Sequence, residues 1–281
     1  MTQIYSRKIA QEKYNLIRNI PYKVMKNYAQ IILNFATKNS SILDIGFGTG
    51  QLLIPLSFLN QESKIFGIDK SKHMCNLVKK LVGDKANLVN GDINKTLKQN
   101  TKYNIVHFKA LLHCLQNPYK SLNIIADSVM DNGYLITGHE ISQTEDRLEQ
   151  IFNYKNIDSP EIEIIFEYYF RLRSDYKKPF YSRVFPAGDS WKACKYLIKT
   201  KGFSFIRNIS NKNLSWNRKI KIKDILDSIK LGTFGVFYNN LTDFDRKKIY
   251  DDMIYFVKKH NINLYKTHNI PAKFNLSILK K

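Results

Sequence analysis

Gly46-Phe47-Gly48-Thr49-Gly50 sets three glycines at every second position, and the acid Asp44 stands two residues ahead of the first. Ser41-Ile42-Leu43-Asp44 leads into them as a short apolar strand, and Gln51-Leu52-Leu53-Ile54 begins a helix behind them. Glycine belongs where the backbone must take φ > 0 or where a ligand must approach without a Cβ in the way. The helix start behind such a loop offers unpaired N–H groups and a partial positive charge, which suit a phosphate or a carboxylate. A second acid, Asp69, follows 19 residues after Gly50 at the end of the apolar run Lys64–Ile68. That is close to the interval of about 20 residues at which a carboxylate meets the two hydroxyls of a ribose. These residues point to a nucleotide-like cofactor held at the first strand of a doubly wound sheet.

The spacing is not the Gly-x-Gly-x-x-Gly of dinucleotide-binding loops, and no Gly-Lys-Ser/Thr ending marks a P-loop. With its acid, the loop resembles the first motif of the class I S-adenosylmethionine-dependent methyltransferases, Asp/Glu-x-Gly-x-Gly-x-Gly. The element Gly67-Ile68-Asp69-Lys70-Ser71, followed by Met74, resembles what that family shows after its second strand. The resemblance implies S-adenosyl-L-methionine as cofactor, with Asp44, Gly46, Phe47, Gly48, Gly50, Asp69 and Lys70 around it. It further implies that Asp92 accepts from the adenine amino group while Ile93 packs on the ring. Phe108 and Lys109, at the tip of the fourth strand, would meet the methionine moiety. Two departures stand out: Asn104 replaces the usual acid early in that strand, and a lysine at position 109 is unusual. His113 at the exit of the fourth strand and Glu140 at the exit of the fifth are the best-placed titratable groups for the acceptor. Tyr169 joins them as a catalytic candidate from the aromatic set Tyr168, Tyr169, Phe170, Tyr176, Phe180 and Tyr181, beside Arg171, Arg173 and Arg183. His107, inside the fourth strand, reads as structural.

The elements that would position these residues alternate as β/α units: strands at 41–44, 64–68, 87–90, 103–108 and 134–137, with helices at 51–60, 71–82 and 118–130. Pro55 predicts a kink in the first of these helices. Five such units imply right-handed crossovers and a parallel sheet with its ligand at the carboxyl ends of the strands. The expected fold is α/β, a doubly wound, mostly parallel seven-stranded sheet with helices on both faces and a helical lid. Residues 1–140 would form leader helices and the cofactor-binding core, with Tyr5 and Tyr14 able to reach the site. Residues 141–186 would be a helical aromatic lid, and 187–215 a core helix and sixth strand. Residues 216–240 would be a second lid segment, and 241–281 a core helix and the last strand.

The formal net charge of +21 raises nucleic-acid binding. The 36 Lys against 9 Arg, with 27 Asn, instead match the drift of an AT-rich genome, and the charge is spread evenly along the chain. No Asn/Asp-Pro-Pro-Tyr and no Pro-Cys accompanies the fourth strand, so a small-molecule acceptor is favoured over nucleic acid. Three alternatives remain open: a cyclase or alkyl transferase releasing methylthioadenosine, an RNA methyltransferase, and a non-catalytic binding module. Cys75, Cys114 and Cys194 have neither disulfide nor metal-site spacing. No stretch reaches the roughly 18 apolar residues of a membrane span, and no secretory leader is evident. A cytoplasmic enzyme without a metal or a membrane partner is expected, with its oligomeric state open.

Overall fold

The computed structural model describes residues 15, 18–60, 62–97, 101–141, 159–177, 190–232 and 241–281. Its first four strands begin where apolar, β-branched runs predict them: β1 Ser41–Ile45, β2 Lys64–Asp69, β3 Asn87–Asn90 and β4 Tyr103–Lys109. Strand β5 Val129–Ile141 begins five residues before the expected 134, inside the end of the expected helix 118–130. The first four are parallel neighbours in the order β3-β2-β1-β4, and β5 continues parallel to β4. Helix α1 Tyr22–Leu33 precedes the sheet, and α2 Leu53–Leu59, α3 Lys72–Val82, the short α4 Ile93–Thr96 and α5 Pro118–Asp127 fill the crossovers. Parallel strands covered on both faces read as continuous apolar runs, and Leu43, Ile45, Val106, Phe108 and Leu135 accordingly join one buried cluster.

The chain divides into two compact units. One holds residues 21–141, 183–215 and 273–281, with this sheet and helix α6 Ser190–Lys201, whose Ala193, Cys194 and Leu197 enter the same cluster. Strand β6 Ser204–Ile209 and the end of the last strand complete it, both antiparallel at this edge. The other holds residues 1–20, 142–182 and 216–272. Its helices α7 Pro160–Asp175, α8 Ile222–Leu231 and α9 Asp243–Lys259 bury Ile162, Phe166, Tyr169, Ile225, Ile229, Ile249, Met253 and Val257. Three- and four-residue spacings place each set on one helical face. Helix α9 opens with a capping box, in which the Thr242 side chain accepts from Asp245 N–H and the Asp245 carboxylate accepts from Thr242 N–H.

The structure departs from the sequence expectations at four further places. Among the described residues the sheet has eight strands rather than seven, in the order β3-β2-β1-β4-β5-β8-β6, with β7 Ser215–Lys221 pairing β8 Thr267–Lys280. In β7 the residues Trp216, Arg218 and Ile220 are buried and alternate with exposed neighbours, a two-residue period inside a stretch read as lid. The last strand spans 14 residues rather than the short 275–279 tail. Pro55 produces no interior break, because α2 starts at Leu53 and the missing N–H falls in the first turn, where no intrahelical partner is needed. Finally, α9 packs on α7 and α8 in the helical unit, rather than serving as a core helix of the sheet.

Candidate cofactor and acceptor site

β1 delivers the chain to the glycine loop at the carboxyl edge of the sheet. Gly46, Gly48 and Gly50 all have positive φ, at 68°, 54° and 77°, a region closed to most side chains. At Gly48 an added Cβ would meet nothing closer than the Gly46 carbonyl at 4.0 Å, so this point of the loop stays open to a ligand. Gly46 is closed from above, since a Cβ there would come within 2.8 Å of Leu111 Cδ1. Leu111 is aimed at the loop by Ala110, a non-glycine residue at φ 50° directly after β4. Such left-handed strain persists only where surrounding structure enforces it, and it clusters at functional sites.

Asp69, at the tip of β2, ties this loop to the second crossover. Its Oδ2 accepts from Gly48 N–H and its Oδ1 from Ser71 N–H, each at 2.8 Å. Each oxygen keeps a lone pair for a further donor. Burial raises the Asp69 carboxyl above its ordinary value, the two backbone N–H groups pull it back, and the Asp44 charge pushes it up again. Asn90 clamps the same turn by donating to the carbonyls of Asp69 and Lys70, both at 3.0 Å. Lys70 reaches Asp92 at 3.0 Å, and this contact, ahead of the Asn94 N–H bond, holds the Asp92 carboxyl below its ordinary value. With both partners partly exposed, the pair contributes little stability.

Beneath the loop lies a buried chain that the sequence does not announce. Asp44 Oδ1 pairs with His107 Nδ1 at 2.8 Å, and His107 Nε2 meets the Tyr28 hydroxyl at 2.9 Å. All three residues are buried, Asp44 at 3% exposure and the other two at 0%. Phe47 is packed against Gly67, where a Cβ would come within 2.8 Å of its ring. Phe108 and Ile93 sit in the apolar cluster of the sheet, at 2% and 6% exposure. Lys109 Nζ lies 5.4 Å from the centre of the Phe274 ring. His113 lies half-buried in the helical turn Leu112–Cys114 that follows β4, and Glu140 is half-buried near the end of β5, opposite Phe274 of β8. Asn104 lies at the far end of β4, where its Oδ1 accepts from Ser41 N–H and Oγ and knits two strands together.

The structure thus gathers Asp44, Gly46, Phe47, Gly48, Gly50, Asp69, Lys70, Asp92, Phe108, Lys109, His113 and Glu140 in the sheet unit. Tyr169 belongs to the helical unit and is fully buried there, with Arg173 donating to its hydroxyl at 3.4 Å. Burial pushes its phenol up to about 12. The other aromatic candidates also pack within that unit. Tyr168 stacks on Phe256 at 3.9 Å, Phe170 leans on Tyr169, and Tyr176 donates to Asp252. Tyr5, Tyr14, Phe180, Tyr181 and Arg183 lie outside the described residues. Sequence reading passed over Tyr28, Ser71, Asn90, Ala110, Leu111 and Gly138. Only Ser71 carried a local signal, as the helix-capping serine before α3.

An open glycine loop, an acid with spare acceptor capacity at the next strand tip and a third acid after β3 fit a cofactor with a ribose and an adenine. Residues 36–186 match the family described as a methyltransferase domain. No curated protein matches the sequence. Among solved structures, a candidate methyltransferase of Bacillus halodurans C-125 is similar at 14% identity, covering 92% of this chain and 98% of its own, with a TM-score of 0.53. The YjhP protein of Escherichia coli is similar at 11% identity, covering 99% and 98%, with a TM-score of 0.51. At these identities the likeness shows a shared fold.

Proposed function

The chain belongs to the methyltransferase-domain family and uses S-adenosylmethionine as its cofactor, and on that premise we propose that it methylates a small-molecule acceptor at the carboxyl edge of its sheet. The cofactor supplies a sulfonium-bound methyl group that is already electrophilic. The protein's part is then to bind, to align the acceptor within about 3 Å of that methyl and to exclude water. Gly48 and Asp69 hold the nucleoside part, and Asp92 with Lys70 borders the base. His113 and Glu140 stand at the exits of β4 and β5, where either can take a proton from an acceptor or orient it. The helical unit holds residues 142–182, most of the stretch expected to carry the aromatic acceptor-facing residues. Tyr169 and Arg173, buried in its core, shape that unit from within.

The observation that carries this reading is the loop held open at Gly48 by the Asp69 carboxylate, next to the strained turn at Ala110. The exit of β4 also lacks the Pro-Pro-Tyr wedge that would favour a nucleic-acid base. Mass spectrometry of the purified protein with S-adenosylmethionine, alone and with a metabolite extract, tests it. S-adenosylhomocysteine formed only with extract, together with an acceptor heavier by one methylene unit, supports the reading. Methylthioadenosine formed without an acceptor overturns it, as would methyl incorporation into RNA alone.

A further inference from the structure

Four elements meet along the chain of contacts that ends at the Tyr28 hydroxyl. Tyr28 comes from α1, His107 from β4 and Asp44 from β1, and the hydroxyl rests over β5 at Gly138, where a Cβ would fall 1.6 Å from it. Glycine in a strand interior weakens the strand, so its presence here is explained by the tyrosine it admits. The hydrogen-bond order follows from the chemistry of the groups. Asp44 as a carboxylate only accepts, so His107 Nδ1 donates to it; Nε2 is then free to accept the Tyr28 O–H. In this order both ring nitrogens of the imidazole are used.

We propose that Tyr28 and His107 are positioning residues that hold the Asp44 carboxylate, two residues before the glycine loop, as the anion serving the cationic methionine end of S-adenosylmethionine. The proposal rests on the cofactor reading above. A buried carboxylate without partners is costly, and the His107 donor at 2.8 Å offsets part of that cost. Burial is the main reason that the Asp69 carboxyl and the Tyr28 phenol lie above their ordinary values, and Asp44 adds a smaller push in the same direction. Two acids under one loop, in a chain of net charge +21, suit a ligand carrying positive charge.

Calorimetry with two ligands tests this: S-adenosylhomocysteine, which has the amino-acid chain, and methylthioadenosine, which lacks it. Tyr28→Phe should weaken S-adenosylhomocysteine about three- to tenfold, the worth of one hydrogen bond, and leave methylthioadenosine within about twofold. His107→Asn, whose amide N–H replaces Nδ1–H, should retain more S-adenosylhomocysteine affinity than His107→Leu. Equal losses for both ligands, or an unchanged affinity in folded Tyr28→Phe, overturn the positioning role while leaving the cofactor reading intact. Failure of the wild-type protein to bind either ligand would overturn both. Should the His107 variants not fold, the isosteric Tyr28→Phe variant decides alone.

Discussion

The Asp69 carboxylate accepts the amide of Gly48 at 2.8 Å across 21 residues of sequence. The acid proposed to meet the ribose therefore also sets the glycine loop. Asp69→Ala should weaken S-adenosylmethionine binding roughly tenfold to a hundredfold, as expected for losing charge-assisted bonds, and calorimetry returning the wild-type affinity would sink the assignment. The stability effect has the opposite pH sense from a salt-bridged acid. The folded carboxyl binds its proton more tightly than the unfolded one, so its stabilising contribution is present below the ordinary value of 3.8 and is lost as pH rises through the folded value. The melting temperature of ligand-free wild type, relative to Asp69→Ala, should therefore fall on going from acid toward neutral pH.

Gly138→Ala tests the Tyr28 packing from the other side. The new methyl group would occupy the hydroxyl's position, so Tyr28 or the strand must shift, at a cost of about 1–3 kcal/mol. Chemical denaturation should show that loss, and Gly138→Ala combined with Tyr28→Ala should recover part of the interaction, because the obstructed ring is gone. An undiminished stability in the single variant would mean that the hydroxyl does not lie over β5.

Ala110 at φ 50° gives a prediction of the opposite sign. A left-handed alanine costs about 1–2 kcal/mol, while glycine's greater freedom in the unfolded chain costs about 0.4–1 kcal/mol. Ala110→Gly should therefore leave stability unchanged or raise it by up to about 1.6 kcal/mol. The methyl-transfer rate should fall, because the turn that seats Leu111 against Gly46 is loosened. A loss of more than about 1 kcal/mol in denaturation would contradict the strain.

His268 supplies a pH dependence in the helical unit. Its Nδ1 meets Ser159 Oγ at 2.6 Å, and its buried Nε2 has no hydrogen-bond partner among the described residues. Burial of the ring lowers the imidazole below its ordinary 6.5, with Glu161 opposing. The unfolded state then binds the proton more readily, so stability is present above about pH 6.5 and lost as pH falls through the folded value. The melting temperature should drop between pH 7.5 and pH 5.5, and His268→Phe should flatten that slope. Parallel slopes in the two proteins would rule His268 out as its source.

Much of the candidate cofactor site was legible in the chain, because it is built from local signals. A strand, a positive-φ loop and a helix start all lie within residues 41–54, and Asp69 follows at the spacing that one β/α unit imposes. Lys70 and Asp92 were also readable as strand-end residues, although their contact was not. The helical unit was less legible. Tyr169 and Tyr168 read as a lid from composition, yet their three- and four-residue spacing equally describes the face that they bury against α9. Strand β7 was hidden in a lysine-rich stretch, where burial of Trp216, Arg218 and Ile220 depends on pairing with a strand some fifty residues onward.

From residues alone came the order of the β/α units, the glycine loop with its two acids, and hence the class of cofactor. These depend on patterns repeated every two to four residues, which one stretch of chain carries by itself. The tertiary structure alone decided that Tyr28, Asp44, His107 and Gly138 form one buried chain. Those residues are brought together by the sheet order β1-β4-β5 and by the packing of α1 across it. No local pattern encodes a contact between positions 28 and 107, because it exists only once the intervening strands have paired.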